Sequence, residues 1–211
     1  IEIYGGCHDY TCDNNYIYQV FDAGVTHQYS SGSCGDCKHI NVHYTNNLIE
    51  YCTYSIEYFL GQYSSPDTLR FQRDIYIENN ILRYSGFGFG EQRPEYDCPA
   101  AHIKGWDSYS ALDKNSFIRN NIFDRGRNML IHVGTAQQHW LPTFENNIFI
   151  QYLGEKTSTL GRYGKNPTTL TPFSENIREV MNEMNLDFNA GVYFAERDEL
   201  YDLPDFMPIK D

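Results

Sequence analysis

Three carboxylates, Asp22, Glu57 and Glu91, and the basic side chains His102 and Lys104 are the residues of this chain whose types and spacing fit reaction chemistry. Acid and base work at a glycosidic bond takes a pair of carboxyl groups, one protonating the leaving oxygen and one acting as nucleophile or base. Glu57 in Ser55-Ile56-Glu57-Tyr58-Phe59 and Glu91 in Gly88-Phe89-Gly90-Glu91-Gln92 hold comparable places in short alternating segments, and Asp22 lies in the turn before Gly24-Val25-Thr26-His27-Gln28. Around them stand groups suited to sugars: Gln92, Arg93 to clamp a carboxylate, Trp106 to stack on a pyranose face, and His27, Tyr58 and His132 to position a substrate. His102 and Lys104 share one strand face by period two and suit proton transfer. Plainer roles compete at each position. Asp22 fits a turn cap, Glu57 a solvent-facing charge, Glu91 an ion pair with Arg93, Lys104 a solvated cation, and His27, His102 and His132 satisfied structural histidines.

The elements that must position these residues announce themselves by repetition. Asn-Asn followed by alternating apolar residues occurs at Asn14-Asn15, Asn46-Asn47, Asn79-Asn80, Asn120-Asn121 and Asn146-Asn147, in steps of 32, 33, 41 and 26 residues. Such periods mark a solenoid whose turns stack on one another. The segments alternate with period two and lack helical spacing, so they are strands. Asn tolerates the left-handed backbone that a tight bend between strands requires, and its amide can bond the same group one turn on. About eight residues later each unit reaches a second strand. Aligning these strands stacks Thr26, Glu57, Gly90 and Ile131 in one row and His27, Tyr58, Glu91 and His132 in the next. With Val25, Ile56, Phe89 and Leu130 inward, Glu57 points outward, and Glu91 joins it only if Gly86 to Gly90 contain a bulge.

Composition narrows the partners. The 211 residues include 18 Tyr, 13 Phe and 2 Trp, which suit a packed core and polymers bound through aromatic faces, and they exclude disorder. A net charge of −12 without a basic stripe excludes a nucleic-acid binder. No apolar run is long enough for a membrane span.

On the five Asn-Asn units the chain resembles the right-handed parallel β-helix proteins of the pectin-lyase-like superfamily, over residues 1 to 154. The resemblance implies an all-β, single-stranded parallel β-helix on a scaffold shared by hydrolases, lyases and adhesins. It implies a secreted or cell-surface bacterial protein that meets a polysaccharide or oligosaccharide. A glycoside hydrolase using Glu57, Glu91 or Asp22 is the leading expectation. The alternatives are a glycan-binding module and a lyase, in which Lys104 or His102 abstracts a uronate proton while Arg93, or calcium held by Glu91 and Asp97, covers the carboxylate. The acidic clusters of the calcium-dependent lyases have no counterpart here, which favours hydrolysis.

Residues 155 to 211 depart from the repeat and are expected to cap the solenoid, with a helix over 174–186 where Ile177, Val180, Met181 and Met184 recur at helical spacing, and a later strand at Val192-Tyr193-Phe194. The opening Ile1-Glu2-Ile3-Tyr4 already reads as a strand, so further rungs or domains upstream are expected. No cofactor is expected. Of six cysteines, Cys7, Cys12, Cys34 and Cys37 fit either disulfides or a zinc clip, while Cys52 fits the core.

Overall fold

The computed structural model describes residues 1–29, 38–60, 71–87, 100–105, 115–133, 142–152, 159–163 and 192–195. Three parallel sheets run the length of the described chain. The first contains β1 (Glu2–Tyr4), β4 (Ala23–Tyr29), β7 (Tyr54–Leu60), β10 (Ala101–Gly105), β13 (Met129–Val133) and β16 (Thr159–Tyr163). The second contains β2 (Cys7–Asp13), β5 (Lys38–Thr45), β8 (Phe71–Glu78), β11 (Phe117–Arg119) and β14 (Thr143–Glu145). The third contains β3 (Tyr16–Tyr18), β6 (Leu48–Glu50), β9 (Ile81–Ser85), β12 (Ile122–Gly126), β15 (Ile148–Tyr152) and β17 (Val192–Ala195). Each strand pairs with its counterpart one turn away, so the fold is a right-handed parallel β-helix.

The two asparagines of each pair divide the work of the bend from the second sheet to the third. The first takes the left-handed backbone, with φ of 56° at Asn14, 56° at Asn46, 58° at Asn79, 57° at Asn120 and 51° at Asn146. The second turns its amide into a ladder. Asn80 Oδ1 accepts from the backbone N–H of Asn47 at 2.9 Å and from its Nδ2 at 3.0 Å. Asn80 Nδ2 donates in turn to Tyr44 O at 2.8 Å and to Asn121 Oδ1 at 3.0 Å. Both faces of the amide are thereby used, which is what lets Asn47, Asn80, Asn121 and Asn147 be 0–1% exposed.

Inside the coil, like stacks on like. Ile17, Ile49, Leu82, Phe123 and Phe149 form one in-register row of the third sheet, and the rings of Phe123 and Phe149 stack at 5.1 Å. Val25, Ile56, Ile103 and Ile131 form the facing row of the first sheet. β17 extends the third sheet beside β15, with Val192 in backbone register with Phe149. The helix expected over 174–186 lies outside the described residues.

Candidate functional site on the first sheet

The register of the first sheet differs from the sequence alignment at its third rung. The place beside β7 is taken by β10, with Glu57 opposite Lys104 and Tyr58 opposite Gly105, rather than by Gly88 to Gln92. Ala101 begins its strand far later after its Asn pair than Ala23, Tyr54 or Met129 do after theirs, so an alignment at constant spacing selected the wrong segment. Lys104 is thus the neighbour of Glu57 on that side. Ile131 stands in the row of Ile103, and His132 in the row of Lys104 rather than beside Glu91. Glu91, Gln92, Arg93, Asp97 and Trp106 lie outside the described residues.

Alternation decides which way each row points. His27 reaches inward to the second sheet, where Nδ1 lies 2.9 Å from the Tyr44 hydroxyl and Nε2 lies 2.9 Å from Gln72 Oε1. Tyr58 stacks on the His27 ring at 5.9 Å and belongs to the core. His27 and Tyr58 are therefore interior residues, not substrate contacts; burial holds the His27 imidazole well below its ordinary pKa. The neighbouring row, Thr26, Glu57, Lys104 and His132, takes the opposite face, with Arg162 next in register. Lys104 Nζ lies 2.6 Å from His132 Nδ1 and 5.7 Å from the centre of the Tyr54 ring. Although this face is turned from the core, Glu57 is 3%, Lys104 1% and His132 2% exposed.

His102 parts from Lys104. Its Nδ1 lies 2.9 Å from Ser55 Oγ, and its Nε2–H donates to Asp124 O at 3.2 Å across the corner to the third sheet. Period two fails because the first sheet bends where it leaves that corner: the consecutive residues Leu130 and Ile131 both enter the core. Burial pushes the His102 pKa down to about 4, so it stands neutral between Ser55 and Asp124, away from the face of Lys104. Asp22, half-buried, accepts at its carbonyl from Tyr54 N–H at 3.2 Å. It lies in the bend before β4, four residues ahead of Thr26, the rung neighbour of Glu57.

Among the described residues the cysteines do not converge. Cys7 Sγ lies 3.0 Å from His39 Nδ1, Cys12 Sγ accepts from Asn15 Nδ2 at 3.3 Å, and Cys52 is fully buried in the core. All three are free thiols. Among the described residues no group of three or more His, Cys, Asp or Glu side chains is gathered as a metal site. Cys34, Cys37 and Cys98 lie outside them.

One surface escaped the sequence reading. On the third sheet, Tyr18, Glu50, Arg83 and Asp124 stand in register. Arg83 bonds Glu50 Oε1 at 2.9 Å and lies 3.4 Å from Asp124 Oδ2, and Tyr16 donates its hydroxyl to Glu50 at 3.0 Å. Beside them the rings of Tyr51 and Tyr84 stack at 5.2 Å and Arg125 lies over Tyr84 at 4.8 Å. The signal was the third residue after each Asn pair, which alternates in charge through Glu50, Arg83 and Asp124. Ladders of this kind, like His43 and Tyr76 at 4.6 Å on the second sheet, spend their ring faces on each other rather than offering them to a sugar.

No protein-family model, no curated protein and no solved structure matches the chain. The architecture is a right-handed parallel β-helix, which is consistent with carbohydrate-active enzymes and with binding modules alike.

Proposed function

We propose that this protein is an extracellular or cell-surface β-helix that acts on a polysaccharide or oligosaccharide through the outer face of its first sheet, by elimination at a uronic acid residue. The observation that carries the reading is the in-register row in which Lys104 Nζ lies 2.6 Å from His132 Nδ1 beside Glu57. Lys104 takes the proton from C5, a double bond forms between C4 and C5 as the C4–O bond breaks, and the departing oxygen receives a proton from His132. The step starts with His132 protonated and Lys104 neutral, and the one cation that the pair shares offsets the substrate carboxylate. Hydrolysis needs a second carboxylate on this face. Glu57 is the one that the described row contains, which is why elimination ranks ahead of it. β16 and β17 continue the sheets into the C-terminal residues, and the end of the coil beyond β16 is covered, in this reading, by residues that follow Tyr163.

A product assay decides between the classes. Acidic and neutral polysaccharides, with short oligosaccharides included because the row is buried, are scored for unsaturated ends and for new reducing ends. The expected result is unsaturated product, lost by about 100-fold or more in Lys104→Ala, with the fold checked by circular dichroism. Reducing ends without unsaturation, abolished in Glu57→Gln, would establish hydrolysis instead. Retention of a glycan without turnover would establish a binding module.

A further inference from the structure

Inside the coil are polar groups that the outer face does not explain. Cys7, His39 and Gln72 occupy in-register positions on the second sheet, Cys7 opposite His39 and His39 opposite Gln72. His27 projects toward them from the first sheet, its ring 4.8 Å from that of His39. Its Nε2–H donates to Gln72 Oε1, and its Nδ1 accepts from the Tyr44 hydroxyl. The Cys7 thiol, pushed up to about 11 by burial, keeps its proton and donates to His39 Nδ1, which leaves the His39 proton on Nε2. That nitrogen and Gln72 Nε2 have no hydrogen-bond partner, although His39 is 0% and Gln72 1% exposed.

Leaving buried donors in this condition costs about 1–3 kcal/mol each. His39 and Gln72 are paired on neighbouring strands, about 4.8 Å apart at the backbone, and both carry an inward donor without a partner, which sets the two donors toward one shared acceptor. We propose that the interior of the coil binds one ordered water between His39 Nε2 and Gln72 Nε2, a structural ligand that completes the network of His27, Tyr44 and Gln72. The chemistry favours water over a halide. The groups that face the site, His27, His39, Tyr44, Gln72 and Cys7, are neutral, and a dehydrated anion would have no countercharge among them.

A high-resolution crystal structure of the whole chain, with a bromide soak and nitrogen NMR of the imidazoles, tests this. The expected result is a water-sized peak within hydrogen-bond reach of both nitrogens, no anomalous bromide signal there, and His39 protonated on Nε2. Gln72→Met is expected to lose the peak; if that variant does not fold, the parent structure decides alone. A dry site, a bromide peak, or a His39 proton on Nδ1 overturns the proposal.

Discussion

Asn80 shows how much one side chain carries in this protein. Its amide bonds the turn before, the turn after and the carbonyl of Tyr44, all out of water. Asn80→Ala leaves several of those groups unpaired and is expected to destabilise the fold by about 3 kcal/mol. Asn15→Ala, at the partly buried first rung, is expected to cost less than half as much. Equal shifts of the denaturation midpoint in the two variants would contradict the ladder account. Gly126 makes a second case. A Cβ there would stand 2.4 Å from Met129 O and 2.9 Å from Ser85 Oγ, and the backbone oxygen cannot swing aside. Gly126→Ala is expected to lose about 1–3 kcal/mol, read in the same denaturant titration. The Asn pairs could be read from sequence because they recur. Their division of labour could not, since the backbone φ of the first and the burial of the second are properties of the stacked turn.

Whole rows, not single residues, are the units that the sheets present to solvent. On the third sheet the side chains of Glu50 and Asp124 are each about 10% exposed, with Arg83 between them. On the second sheet Arg119 joins Glu78 to Glu145, whose side chain is 41% exposed. Arg83→Met takes the cation from nearly buried Glu50, which keeps, among the described residues, only the Tyr16 hydroxyl, while Asp124 retains Arg125 at 2.7 Å, and is expected to cost about 1–2 kcal/mol, less than for a fully buried pair because the guanidinium itself is partly solvated. Arg119→Met is expected to cost about 0.5 kcal/mol, since water screens its partners. Thermal melts that rank the two variants the other way would refute this account. The first sheet shows where row reading from sequence breaks down. Lys104 stands in the row assigned by alignment to Gly90 because the long third turn reaches its strand late. His102 leaves the face of Lys104 because the strand bends at the corner.

Among the histidines buried in the described residues, His27, His39 and His102 are held neutral, which sets the behaviour of the molecule in acid. Burial lowers His39 and His102 to about 4 and His27 well below its usual value of 6.5. Between pH 6.5 and about 4 the unfolded chain therefore takes up protons that the folded chain refuses. Above this window the histidines contribute no pH dependence. Within it, stability falls with pH by about 1.4 kcal/mol per unit for each histidine. Denaturant titrations at several pH values are expected to show this fall beginning near pH 6.5, ahead of any carboxylate titration, and His102→Asn to reduce its slope. A flat profile down to pH 4.5 would contradict the burial of these rings. The sequence by itself determined that the chain coils: a bend-tolerant Asn pair and a period-two apolar pattern are local properties, and their repetition admits a stacked parallel architecture. Only the tertiary structure decided which strand fills each rung. Turns of unequal length reach the same sheet after different numbers of residues, so hydrogen-bond register, not distance along the chain, brought Lys104 beside Glu57 and His132 and turned His27 and His102 inward.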